Sequence, residues 1–329
     1  MKEVTYLDAI NEALIEEMER DDSVFVMGED VAVGYGGGGI FGATRGLVER
    51  FGTGRVIDTP LSELAITGAA IGAALVGLRP VAEIMFADFL SIIMDQLVNN
   101  AAKMRWTLNG ERDVPIVYRT AYGAGIGAGF HHSQSFEAWV AGVPGLKVAM
   151  PSDPKDAKGL LKASIRDNDP VIFLEHKLLY KRSKGEVPEE EYTIPLGKGD
   201  IKRPGTDVTI VGTGAMVRLA LEAAETLEKK GVSAEVVDPR TIQPLDEDLI
   251  LDSVKKTGRA IIVHEAPVFG GFGGEIAAIL ADRGIDYLDG PVKRVGALFT
   301  PIPNWIEMER YYLPSVEKIL KAAEEVIRY

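Results

Sequence analysis

Arg55-Val-Ile-Asp-Thr-Pro-Leu-Ser-Glu-Leu-Ala65 decides how the rest of the chain is read. Its apolar start predicts a strand over 55–58. Asp-Thr-Pro then breaks the run, and small helix formers predict a helix from Glu63 to Leu78. Glu63 stands directly after the turn, at the mouth of that helix. Two readings are open at this point. Ser62 and Glu63 are ordinary helix-start residues, a capping hydroxyl and an acid in the first turn. Alternatively, Glu63 faces a largely apolar crevice, which would raise its pKa and let it share a proton with a nitrogen heterocycle. Spacing alone favours capping.

Outward from this segment the same strand–helix alternation repeats. Strands are predicted at Val24–Met27, Val81–Met85, Val114–Arg119, Leu146–Met150 and Val171–Glu175. Helices are predicted at Thr5–Arg20, Phe89–Trp106, Ser133–Val143 and Pro154–Arg166, the last capped by Asp153. Continuous apolar strands between helices indicate a parallel sheet covered on both faces. The stretch from Lys181 to Gly199 is charged, carries Pro188 and Pro195, and includes Glu189-Glu190-Glu191. It reads as a solvated linker. Alternation then resumes, with strands at Asp207–Val211, Ala234–Asp238, Ala260–His264 and Val292–Val295. The expected fold is α/β in two domains, each a mainly parallel sheet flanked by helices. The expected boundaries are 1–185, a linker over 186–200, and 201–329.

Composition removes several function classes. The chain has 329 residues, 46% of them hydrophobic, enough for two cores. A net charge of −13 argues against a nucleic-acid surface. With no cysteine and only four histidines, disulfides, thiolate nucleophiles and a His-rich zinc site are not expected. Thr5–Arg20 is amphipathic and does not read as a targeting peptide. Leu64–Leu78 is too short and too glycine-rich for a membrane span. A soluble, cytoplasmic protein is the expectation.

Three motifs carry chemistry on paper. Gly34-Tyr-Gly-Gly-Gly-Gly39 satisfies GxGxxG formally, and Val211-Gly-Thr-Gly214 joins a strand to a helix. Val217 stands at the second motif's third glycine position, where it would crowd helix against strand. A nicotinamide or flavin site is therefore a weak expectation. His131 and His132 follow glycines at 123, 125, 127 and 129. Either is a plain loop residue or a proton carrier at a strand end. The helix segment Gly68-Ala-Ala-Ile-Gly-Ala-Ala-Leu-Val-Gly77 permits close packing, within a core or across a subunit interface.

Four longer phrases carry a resemblance. They are Ile57-Asp-Thr-Pro-Leu-Ser-Glu63, Glu83-Ile-Met-Phe-Ala-Asp-Phe89, His132-Ser-Gln-Ser135 with Pro144-Gly-Leu-Lys-Val148, and Val237-Asp-Pro-Arg-Thr-Ile-Gln-Pro-Leu-Asp246. Together they resemble the β subunit of the decarboxylating component of 2-oxo acid dehydrogenase complexes, of the pyruvate, branched-chain or acetoin type. That family belongs to the transketolase-like thiamine diphosphate enzymes. The resemblance implies a pyrimidine-binding domain followed by a transketolase C-terminal domain. It implies an α partner that holds magnesium and the diphosphate, in a heterotetramer of two α and two β chains. The GDG-type loop for that task is absent here, since Gly197-Lys-Gly-Asp200 lacks the following residues. It also implies a 2-oxo acid substrate and a lipoyl acyltransferase core as acceptor and partner.

Carried over by position, Glu63 matches the acid that hydrogen-bonds the aminopyrimidine. Phe89 packs on that ring, with Leu61 alongside, and His132 matches a histidine of the substrate channel. No role comes over to His131. Ile116, Ser164, Ile165, Asp167 and Asp169 match positions that hold a structural potassium ion in relatives, where Asp169 is often Asn. Phe86-Ala-Asp-Phe89 leans toward branched-chain or acetoin relatives. Two alternatives compete: the C-terminal half of a split transketolase, and a non-catalytic subunit that only docks the acyltransferase core.

Overall fold

The computed structural model describes residues 1–33 and 38–329. Most of the first GxGxxG candidate, residues 34–37, lies outside the described residues. By contacts the chain forms two compact units, Met1–Tyr122 with Trp139–Leu196, and Gly123–Ala138 with Gly197–Tyr329. This grouping differs from the linear boundaries expected above. The glycine-rich segment Gly123–Ala138 is built into the second unit, although its neighbours in sequence belong to the first.

In the first unit the strands follow the order Lys147–Ala149, Val171–His176, Val117–Tyr122, Arg79–Phe86, Val24–Gly28, Val56–Asp58, all parallel. Their apolar residues are buried except for the half-buried Ile57 of the edge strand, as expected of strands covered on both faces. The helix Tyr6–Arg20 is capped by Thr5, which accepts from the Asp8 amide, and Pro154–Arg166 is capped by Asp153, which accepts from the Asp156 amide. Polar contacts join these two helices. Lys158 lies 2.6 Å from Glu16, and Arg166 lies 2.6 Å from Glu17. Inside the sheet a buried Arg119 bridges Glu175 and Glu83 at 2.7 Å each, and Tyr180 donates to Glu175 at 2.7 Å. The paired geometry satisfies charges that would be costly to bury alone.

One local expectation is corrected. Lys2–Thr5 and Lys184–Val187 form an antiparallel ribbon that the sequence pattern did not announce. The stretch after that ribbon packs on the first unit. Glu191 pairs with Lys162 and Arg166, and the Ile194 amide donates to the Gly159 carbonyl at 3.1 Å. A Cβ on Gly159 would come within 2.7 Å of Ile194, so glycine lets this strap lie flat on the helix.

The second unit has a five-stranded sheet in the order Lys293–Ala297, Ala260–Pro267, Val208–Gly212, Ala234–Asp238, Asp200–Arg203. Only the last pairing is antiparallel. A Cβ on Gly212 would meet the Val217 backbone at 2.9 Å. This glycine therefore serves the close approach of strand and helix Met216–Glu228, which explains the second GxGxxG-like phrase without a cofactor. Among the described residues no helix is long and apolar enough to cross a membrane.

Candidate active site

In a parallel α/β sheet, ligands gather at the carboxyl ends of the strands. Three neighbouring strands of the first unit, Arg79–Phe86, Val24–Gly28 and Val56–Asp58, each deliver chemistry at that end. After Val24–Gly28 comes Glu29, buried, with its Oε1 accepting no hydrogen bond among the described residues. After Val56–Asp58 comes Glu63, half-buried, the first residue of the helix Glu63–Leu75. After Arg79–Phe86 comes Phe89, half-buried, its ring edge-on to Phe86 at 5.9 Å between centroids.

The turn between Gly28 and Glu63 is fixed by polar contacts. The Thr59 amide donates to the Gly28 carbonyl at 2.9 Å. The Asp58 carboxylate accepts from the Ala32 amide at 2.6 Å and the Val33 amide at 3.0 Å. Ser62 occupies the N-cap position but makes no side-chain cap. The ordinary capping reading of Ser62 therefore finds no hydrogen bond here, and Glu63 stands at the helix start without a capping hydroxyl beside it.

Glu29 is the residue that sequence reading missed. Burial, then the nearby Glu63 carboxylate, then Asp30, push its pKa up to about 7. Burial and a neighbouring carboxylate thus let Glu29 keep its proton to higher pH than an ordinary carboxyl. Its signal was present in the sequence. Val24–Gly28 is a clear strand, and the residue after it is an acid.

The remaining expected positions fall as follows. Leu61 is 85% exposed, an unusual place for a leucine unless something covers it. His132 is half-buried in the second unit's glycine-rich loop, its amide donating to the Gly129 carbonyl at 3.3 Å. His131 is exposed and lies tilted at 47° against Phe130, with ring centroids 3.9 Å apart. Of the expected helix over 133–143, only Glu137–Ala141 forms.

The five expected cation positions lie in one corner of the first unit. The Ile116 carbonyl accepts from the Val171 amide at 2.8 Å, and the Ser164 carbonyl accepts from the Asp167 amide at 3.2 Å. The Ile165 and Asp167 carbonyls accept from the Arg79 guanidinium at 3.0 and 2.9 Å. Asp169 lies 2.5 Å from Arg105 and 3.0 Å from Lys147. Burial would raise the Asp169 pKa, but these two cations hold it below its usual value.

The fold and this strand-end arrangement define a transketolase-like pair of domains. Residues 2–183 match the transketolase pyrimidine-binding domain, and residues 197–319 match the transketolase C-terminal domain. The chain superposes on a split-gene transketolase, described as an inactive beta4 tetramer, with a TM-score of 0.79 over 99% of this chain and 98% of the other. At 23% identity that likeness speaks for the fold alone.

Closer relatives narrow the class. The chain is 48% identical to the 2-oxoisovalerate dehydrogenase subunit beta of Bacillus subtilis, over 100% of both chains. It is 49% identical to that organism's acetoin:2,6-dichlorophenolindophenol oxidoreductase subunit beta, over 98% of this chain and 97% of the relative. It is 48% identical to its pyruvate dehydrogenase E1 component subunit beta, over 100% of both. The chain belongs to the family of E1 β subunits of 2-oxo acid dehydrogenase complexes. The split-transketolase alternative is left with a distant fold match only.

Proposed function

We propose that the chain is the pyrimidine-binding half of a thiamine diphosphate enzyme. With an α partner it would oxidatively decarboxylate a 2-oxo acid and pass the acyl unit to a lipoyl group on an acyltransferase core. The observation that carries this reading is Glu63, opening a helix at the strand ends beside a Glu29 whose pKa is pushed up to about 7. The residues suit the cofactor. A buried carboxyl oxygen on Glu29 has no hydrogen-bond partner among the described residues, and Phe89 offers a ring edge-on to Phe86. A protonatable nitrogen heterocycle answers all three features.

When bound, thiamine diphosphate supplies the electron sink for decarboxylation. The chain's own groups hold and move protons around it. Glu63 would carry the proton shared with the pyrimidine ring nitrogen. Glu29, whose proton burial holds to higher pH than usual, would in its protonated form keep negative charge from building up beside Glu63. Phe89 would orient the ring and exclude water from one side. His132 would donate or accept a proton as the acyl unit leaves for the lipoyl group. Magnesium and the diphosphate fall to the α partner. A structural potassium ion held by backbone carbonyls around Ile116, Ser164, Ile165, Asp167 and Asp169 would brace this corner and take part in no step.

The test is Glu63→Gln, co-expressed with an α partner. General acid–base terms are typically worth about 100- to 10,000-fold, and turnover should fall on that scale while assembly persists. Turnover near the unaltered level would refute the assignment. His132→Ala in the same complex should lower lipoyl acylation more than cofactor affinity. Relatives named for branched-chain, acetoin and pyruvate substrates are almost equally similar, at 48%, 49% and 48%. Substrate is therefore read from a decarboxylation screen across those classes.

A further inference from the structure

The loop that carries His131 and His132 is held by carboxylates from elsewhere in its own unit. Glu309, fully buried on the short helix Ile306–Tyr312, accepts from the Gly125 amide at 3.0 Å and the Gly127 amide at 2.9 Å through one oxygen. Gly125 and Gly127 have φ of +103° and +72°, so their N–H groups converge as a nest of the kind that binds anions. Here the anion is the chain's own side chain. Glu265, buried on the strand Ala260–Pro267, accepts from the Ala124 amide at 2.7 Å and from the Ser135 hydroxyl at 3.2 Å. The loop is thus tied before the histidines and again after them.

The segment around Glu309 follows the loop's contour. A Cβ on Gly129 would meet Asn304 Oδ1 at 2.8 Å, and one on Gly127 would lie 3.8 Å from Ile306. Beneath the loop, Ala124 packs in a buried cluster with Ala297, Ile302 and Tyr312. Hydrogen bonds to a carboxylate are roughly twice as strong as neutral ones, so these contacts restrain the loop more than neutral ones would.

We propose that Glu309 and Glu265 are positioning residues that hold the His131–His132 loop in its working shape, with Asn304–Glu309 as its template. The inference rests on the reading of His132 as the group that serves acyl transfer. Neither acid is asked to touch substrate or cofactor. A misplacement of about 1 Å can cost roughly 100-fold in rate even when its source is remote.

The experiment uses the complex assembled with an α partner. Glu309→Ala should lower kcat for lipoyl acylation by about 10- to 100-fold, with little change in the KM for the 2-oxo acid. Glu309→Gln should restore most of that loss, because its amide oxygen still accepts from both N–H groups. Glu307→Ala, at an exposed position on the same helix, serves as the control. Amide exchange across 123–136 should quicken in Glu309→Ala and stay slow in the other two. Combining Glu309→Ala with His132→Ala should add little to the His132 defect, as for residues that act as one unit. Fully multiplicative losses, or unchanged exchange in the loop, would overturn the proposal. If His132→Ala alone leaves acylation intact, the functional reading of His132 fails, while the exchange result still judges the anchoring.

Discussion

Glu137 shows how much one side chain can say about conditions. It is wholly buried in the second unit, and burial followed by the neighbouring Glu265 charge raises its pKa from 4.5 to about 7. The folded chain therefore holds this proton more tightly than the unfolded chain does. The sign follows from linkage. Stability from this group is fully present below about pH 4.5, falls as pH rises toward 7, and stays flat above. The full effect is on the order of 3 kcal/mol, each pH unit of displacement being worth about 1.4 kcal/mol. Glu137→Gln should remove that slope, so urea midpoints of the variant should decline less than those of the parent between pH 5 and 7. Parallel curves would show that Glu137 ionises normally. Glu29, raised for the same first cause, adds a slope of the same sign in the first unit.

Among elements, the helix Glu63–Leu75 repays closest attention. Its Ile66, Ala70, Ile71 and Ala74 face the core, whereas Ala65, Ala69, Gly72 and Val76 lie exposed along the other side. A Cβ on Gly72 would meet nothing within 4 Å. The two packing explanations for these small residues, one core or a subunit interface, differ in what they require of this outer stripe. Only the interface explanation requires it to be covered when the α partner binds. Ala69→Trp should leave circular dichroism and melting of the isolated chain unchanged while weakening assembly with the α partner about 10- to 100-fold, since overpacking a fitted contact typically costs roughly 1–3 kcal/mol. Undiminished assembly by sedimentation would place that interface elsewhere.

Element reading from sequence succeeded where a signal was local. The cap of Pro154–Arg166 and the apolar run of Ala234–Asp238 are examples. It failed where a distant partner decided. Lys2–Thr5 becomes a strand because Lys184–Val187 meets it, and Ser133–Phe136 stays out of the helix it borders while Ser135 donates to Glu265.

Across the whole molecule, class was legible because Glu63 and its flanking phrases are contiguous, while loop architecture was not. Glu265 and Glu309 are isolated letters in the sequence that acquire meaning only when strands and glycine turns bring their partners to them. The same logic bears on why this chain is expected to need a second one. The phrase nearest to a diphosphate loop, Gly197-Lys-Gly-Asp200, already spends its amides internally. Gly197 donates to Thr241 Oγ1 at 3.0 Å, and Gly199 donates to Asp246 at 3.1 Å. A formal charge of −13 further disfavours a free pyrophosphate. The isolated chain should therefore show no heat of binding with thiamine diphosphate and magnesium in calorimetry, and no turnover of any 2-oxo acid. Both should appear together on titration with the α partner and saturate at a fixed ratio of the two chains. Tight cofactor binding by the lone chain would mean that the pyrimidine side alone supplies a complete site, and the division of labour argued from Glu63 would have to be redrawn.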